Sequence, residues 1–256
     1  MSAQPWTPLA DGAIPARHGD RASMRALAIM ARYPRPGRVK TRLAATLGAE
    51  ATAEVYRAFL GDLAARFGRA ARRDGYTLVW AHTPDPGDLR DVVGTAGRLL
   101  TQRGDDLGER LYHVCGDLGA AGFREVVIIS SDSPHLPATH IRAAFATLDW
   151  LPVVLGPAED GGYSLVGTHT YPRPADLFRG IQMSTPRVLA DTLARAQNLG
   201  LEVGLLPVTF DVDELPDLRR LAGALSAPGA GVAAAPRTHA VLRRLALAPL
   251  PVTDAR

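Results

Sequence analysis

Apolar residues recur along this chain with two periods, and segments of the two kinds alternate. Residues 25–31 (RALAIMA) and 125–130 (EVVIIS) are short, nearly continuous apolar runs. Such runs suit strands of a parallel sheet covered on both faces. Residues 76–81, 99–102, 152–156, 163–167 and 202–207 read as further extended segments. Between them the spacing is helical. Val55, Phe59, Leu60, Leu63 and Phe67 share one face over 49–67, and Leu107, Leu111, Val114 and Leu118 form a stripe over 106–118. Helices are also predicted over 138–148 and 215–225, around 239–247, and from Thr185 onward. There Thr185 serves as cap and Pro186 as the first helical residue. Strands alternating with helices predict an α/β fold, a three-layer α/β/α sandwich with a mostly parallel central sheet.

Residues 1–24 mix Pro, Gly, Ala and charge without periodicity and read as a disordered tail. Residues 226–256 form an Ala/Pro-rich C-terminal extension. No repeat or linker interrupts 25–225, which reads as one nucleotide-binding transferase domain once the residues below are weighed.

Composition removes several classes. At 256 residues, 46% apolar and 21% charged, the chain has the make-up of a soluble globular protein. No stretch reaches the roughly 20 apolar residues of a membrane span, and the N-terminus has no apolar core of a secretory signal. The single cysteine, Cys115, lies in a helical pattern as core filler and suits a reducing cytoplasm. The net charge of +3 comes without the interleaved aromatics of a nucleic-acid groove. The seven histidines lack zinc-ligand spacing, and neither G-x-S-x-G nor G-x-x-x-x-G-K-[ST] occurs.

Four charged features fall where predicted strands end, which is where open α/β sheets bind ligands. The first is YPRPGRVKTRL, residues 33–43, with Arg35, Arg38, Lys40 and Arg42 around Gly37 and no acid. Pro34, Pro36 and Gly37 forbid regular structure, so the cations sit on a loop that leads into a helix and suits a polyphosphate. Lys40 is the only lysine in the chain. An Arg-rich protein keeps a lysine where a compact ammonium is needed. The second is Ser131-Asp132-Ser133-Pro134, where hard oxygens suit Mg²⁺ or Mn²⁺ bridging to phosphate. The third is Glu159-Asp160-Gly161-Gly162-Tyr163, read either as a ligand-facing turn or as a plain hairpin turn. The fourth is Asp211-Val212-Asp213, whose carboxylates share one side of an extended segment. They join Asp132 around one ion, or Asp213 merely starts the next helix.

The runs ARYPRPGRVKTRLA, QRGDDLGERL, SSDSPHLP, GPAEDGGYSLVG, STPRVL and DVDELPDL resemble, in order, a bacterial family with the glycosyltransferase-A (nucleotide-diphospho-sugar transferase) fold. It is known as domain of unknown function 2064, and its members are usually described as glycosyltransferases. The resemblance implies a metal at Asp132 and Asp213 and phosphate contacts from Arg38, Lys40 and Arg42. It implies a nucleotide-side loop at Gly104, Asp106 and Arg110, and a second-substrate turn at Asp160, Gly161, Gly162 and Tyr163. Ser184 and Thr185 fall on the acceptor side, and Lys40, Asp132 and Asp160 are the catalytic candidates. This chain departs from the family's GSDCP at Ser130 and Ser133, and Met183 stands where an aromatic residue is common. The basic loop also resembles that of nucleotidylyltransferases, which hold a triphosphate.

Three functions follow as expectations. The first is a metal-dependent glycosyltransferase moving a sugar from a nucleotide-diphospho-sugar to a small acceptor. The second is a nucleotidylyltransferase joining an NTP to a small phosphorylated or acidic metabolite with release of pyrophosphate. The third is a nucleotide-binding module without catalysis. The expected partners are a nucleotide and a small acceptor, with neither nucleic acid nor membrane, and the homodimer is left open.

Overall fold

The computed structural model describes residues 24–226 and 235–247, together with the backbone of 6–7. Among the described residues eight strands form one sheet: β1 (Trp6–Thr7), β2 (Arg25–Ala31), β3 (Thr77–His82), β4 (Arg98–Thr101), β5 (Glu125–Ser130), β6 (Val153–Pro157), β7 (Tyr163–His169) and β8 (Val203–Leu205). Their order is β1-β4-β3-β2-β5-β7-β6-β8. β4, β3, β2 and β5 run parallel, β7 is antiparallel to both β5 and β6, and β8 is parallel to β6. The helices are α1 (Thr41–Leu47), α2 (Ala49–Asp74), α3 (Arg90–Val93), α4 (Leu107–Ala120), α5 (Ala138–Leu148), α6 (Val188–Asn198), α7 (Leu215–Ser226) and α8 (Pro236–Arg244).

The pleat of β2 explains the three layers. Leu27, Ile29 and Ala31 enter a core shared with α2, α5, α7 and α8, whereas Ala26 and Ala28 enter a second core under α4 and α6. Successive side chains point to opposite faces, so a strand apolar at every position feeds both cores. The expected sandwich is therefore the observed one. Cys115 is buried in the second core, where burial pushes its thiol up to about 12, in keeping with a filler role.

Several local expectations need correction. α6 starts at Val188, not at Thr185, because residues 184–187 form a turn. Ser184 takes a left-handed backbone (φ 63), the Val188 N–H bonds Thr185 O, and the Leu189 N–H bonds Gly161 O. The late strand shortens from 202–207 to Val203–Leu205, and α3 occupies a stretch with no strong helical period. Within the predicted tail, Trp6–Thr7 pairs antiparallel with Leu99 and Leu100. The rest of the tail, through residue 23, lies outside the described residues, as do 227–234 and 248–256 of the C-terminal extension. The described part of that extension, α8, packs against α2 and places Leu242 in the first core. No helix among the described residues is long and apolar enough to cross a membrane.

Candidate functional site

β2 and β5 are neighbouring parallel strands, paired through Met30 and Ser130, so the segments leaving them emerge side by side at one sheet edge. One is the basic loop and the other the Asp132 turn. The Asp211–Asp213 segment arrives from the far side of the sheet. It is fixed there by the bridge between Ala158 and Thr209 and by a hydrogen bond from Val212 N to Asp132 O (3.1 Å). Together these segments border a cavity of about 830 Å³.

Lys40 is the centre of one wall. Its side chain is only 4% exposed, and its Nζ lies 2.7 Å from Asp132 Oδ1 and 3.2 Å from Asp213 Oδ1. It also donates to Val212 O at 2.6 Å. Burial works to lower the pKa of this ammonium, but Asp132 and Asp213 outweigh it and hold the pKa above its ordinary value. Tyr56 lies beneath, its hydroxyl accepting from Arg32 N (3.1 Å) and sharing a hydrogen bond with Ser131 Oγ (2.8 Å). Burial, then Asp132, pushes that phenol up to about 12, so it stays protonated.

Ser130 and Ser133 hold this wall together. Ser130 Oγ accepts from Asp132 N at 2.9 Å, and Ser133 Oγ donates to Phe210 O at 3.0 Å and to Asp211. Asp211 faces the cavity with Asp132 and Asp213. Burial first, with Asp132 and Asp213 contributing, raises its pKa to about 6. The sequence placed Asp211 beside Asp213, but its tie to Ser133 depends on a contact across 78 residues.

The structure brings together most of the residues singled out from the sequence. Arg38, Lys40, Arg42, Asp106, Arg110, Asp132, Asp160, Gly162, Tyr163, Ser184, Thr185 and Asp213 all line the cavity. Arg35, Gly37, Gly104, Glu159 and Gly161 lie outside its lining. Arg35 is drawn to Asp85 (2.6 Å) and sits over the Tyr33 ring, and Gly37 supplies a positive φ of 71° in the turn. Glu159 forms a two-pronged pair with Arg220 at 2.6 and 2.8 Å. Gly104 acts at one remove, since its carbonyl accepts from Arg110 Nε at 2.9 Å.

The segment around Asp160 is a hairpin turn between β6 and β7, and Asp160, Gly162 and Tyr163 of it line the cavity. Gly161 makes this workable. Its φ is +87°, and a Cβ there would lie 2.2 Å from Pro186 O. Gly161→Ala must therefore push the 184–187 turn away. Strained backbone plus overpacking should cost about 2–4 kcal/mol of stability, read by urea unfolding. An unchanged unfolding midpoint would count against this packing.

His135 provides a pH prediction. It stacks on Phe210 at 4.2 Å, and burial, reinforced by Arg66 and Arg220, lowers its pKa to about 4. The unfolded chain takes up this proton near pH 6.5 and the folded one only near 4, so stability should fall as pH drops through that window. Asp211 acts in the opposite sense between its ordinary carboxylate range and about 6. His135→Phe, which keeps the stack, should thus lose about 1 kcal/mol less than wild type per pH unit below 6. Thermal melts across pH 4–7 test it, and parallel profiles would refute it.

Among the described residues, no three His, Cys, Asp or Glu side chains group into a ready-made metal cage. The donors present are nevertheless of the right kind. Asp132 and Asp213 are half-exposed carboxylates converging on one point, and Mg²⁺ bound with substrate phosphates needs only one or two carboxylates. The donor set therefore fits Mg²⁺ or Mn²⁺ held jointly by protein and phosphate.

Comparison with known proteins agrees with this architecture. The profile of a bacterial family described as "Uncharacterized protein conserved in bacteria (DUF2064)" matches residues 65–185. No curated protein matches the chain. A provisionally named nucleotide-diphospho-sugar transferase from Desulfovibrio desulfuricans G20 superposes with a TM-score of 0.79 at 31% identity, covering 88% of this chain and 96% of its own. A cytidylyltransferase from Leptospira borgpetersenii serovar Hardjo-bovis (strain JB197) superposes with a TM-score of 0.54 at 10% identity, over 90% and 99% of the two chains. Identity that low speaks to the fold alone.

Proposed function

Because the chain belongs to the bacterial DUF2064 family, we propose that it is a nucleotide-dependent transferase that moves a sugar from a nucleotide-diphospho-sugar to a small acceptor. The observation that carries this reading is the cavity's division into a cationic wall (Arg38, Arg42 and Arg110) and the paired carboxylates Asp132 and Asp213. The similar Desulfovibrio protein, named for such donors, supports it.

Charge bookkeeping favours two phosphates over three. Of the cations in the basic loop, Arg35 is spent on Asp85, Arg42 is shared with Asp213, and Lys40 is held by Asp132, Asp213 and Val212. Arg32, Arg38 and Arg110, which also line the cavity, then carry most of the diphosphate contact. Arg110 is pre-aimed by the carbonyls of Gly104 and Asp105, which fix its fork before ligand arrives. Asp132 and Asp213 would hold Mg²⁺ or Mn²⁺, and such an ion supplies neutralisation of the charge that develops on the departing nucleoside diphosphate.

The acceptor occupies the opposite wall, among Asp160, Gly162, Tyr163, Ser184 and Thr185. As the bond from the anomeric carbon to phosphate oxygen breaks, the acceptor oxygen bonds to that carbon. Asp160 takes the acceptor's hydroxyl proton. Its Oδ1 is oriented by Gly162 N at 2.9 Å. Burial pushes the Tyr163 phenol up to about 12, so it serves as a neutral wall.

Nucleotidylyl transfer is the rival, and the neighbourhood of Lys40 favours it only if that ammonium turns to a triphosphate. Thermal stabilisation separates the two, since a ligand that binds the folded state raises its apparent stability by mass action. Nucleotide-diphospho-sugars with Mg²⁺ should raise the melting temperature more than the matching NTPs. Stabilisation by NTPs alone would sink glycosyl transfer.

A further inference from the structure

The sequence marks Lys40 as a phosphate ligand, yet its ammonium is already fully engaged. An ammonium has three N–H donors and no more. Three acceptors surround this one: Val212 O at 2.6 Å, Asp132 Oδ1 at 2.7 Å and Asp213 Oδ1 at 3.2 Å. The contacts leave no donor for a phosphate oxygen. The side chain is buried, and its backbone is left-handed (φ 45, ψ 53) directly ahead of α1. A non-glycine residue stays in that region only where its surroundings over-determine it.

The identity of the residue fits the same picture. This is the chain's one lysine, among many arginines. A planar guanidinium could not converge three donors on one point between two carboxylates, whereas a compact ammonium can. The other cations lining the same cavity are all arginines, Arg32, Arg38, Arg42 and Arg110. Lys40 thus does for Asp132 and Asp213 what a metal would do, neutralising two like charges that converge.

We propose that Lys40 is a tethered counter-ion that competes with the divalent cation for Asp132 and Asp213, so that metal loading displaces the ammonium from both carboxylates. This rests on the reading that those two carboxylates hold the metal. A site that its own counter-ion closes most of the time shows an affinity reduced by the fraction of time it is open. The device would also order events. The ammonium leaves only as the metal arrives, so the two carboxylates are never left uncompensated.

The test uses Mn²⁺ alone, without any nucleotide, so its outcome does not depend on which transfer the protein performs. Because Lys40 is the only lysine, amine acetylation followed by mass spectrometry reads this one side chain, with the chain's α-amino group as internal reference. In wild type, saturating Mn²⁺ should raise the Lys40 acetylation rate about tenfold or more as the ammonium is released. In parallel, titration followed by the Mn²⁺ resonance signal should give about tenfold tighter binding to Lys40→Met than to wild type. Circular dichroism confirms that the variant is folded, and the labelling experiment stands without it. Bound Mn²⁺ with unchanged Lys40 labelling, or Lys40→Met binding no tighter, overturns the counter-ion role and leaves the proposed reaction untouched. Failure of Mn²⁺ to bind either protein overturns both the role and the metal assignment.

Discussion

Asp132→Asn should lower turnover by about a thousandfold, the scale seen when one preorganised electrostatic group is removed from a transition state. Its carboxylate is the part of the site that most elements converge on. β5 delivers it, Ser130 Oγ bonds its N–H, Val212 N bonds its carbonyl, and Lys40 Nζ touches its Oδ1 at 2.7 Å. Asparagine keeps the shape and the backbone ties but removes the charge. The fold should persist because Lys40 retains Asp213 as a partner, at a cost of about 1–2 kcal/mol for a charge left less well compensated. Steady-state turnover beside a urea melt checks both halves. Wild-type activity in a folded Asp132→Asn protein would remove Asp132 from the chemistry.

A large loss of stability should also come from Asp62→Ala, whose side chain does not line the cavity. Asp62 sits in the middle of α2 with its side chain fully buried, a position where a carboxylate normally costs stability. Here it caps another helix. Its Oδ1 accepts from Arg237 N at 3.1 Å and its Oδ2 from Thr238 N at 2.8 Å, the first N–H groups of α8. Alanine would orphan one buried and one partly buried donor and remove the carboxylate at that helix's N-terminus, for a loss of about 3 kcal/mol. Proteolysis should then become faster within α8. Unfolding free energies and cleavage mapping test this, and a loss below about 1 kcal/mol would show that α8 holds by its apolar face alone.

What could be read from the sequence divides along a physical line. β2 and β5 were legible because a strand buried on both faces must be apolar throughout, and α4 because its stripe has the helical period. Asp106 was predicted as the first residue of that helix and serves as its cap, accepting from Glu109 N at 2.8 Å. Asp132 and the basic loop were legible as candidates because both follow such strands. Partner choice was not legible, since it depends on contacts distant in sequence. Nothing local distinguishes Arg35, drawn to Asp85 across 50 residues, from Arg38, which faces the cavity. Nothing local shows that Asp62 caps a helix 175 residues away. The shift of α6 from Thr185 to Val188 has the same origin. The local signal of Thr185-Pro186 was sound, but Gly161 O claims the Leu189 N–H and pins the turn ahead of it.

Glycosyl and nucleotidylyl transfer differ in whether the nucleotide substrate carries two phosphates or three. The most direct measurement incubates the protein with Mg²⁺, a pool of small hydroxylated acceptors, and either nucleotide-diphospho-sugars or the corresponding NTPs, and separates the products by chromatography. Nucleoside diphosphate should appear in step with loss of the sugar donor, and not with Asp132→Asn. Pyrophosphate released from NTPs, with every nucleotide-sugar left intact, would contradict glycosyl transfer.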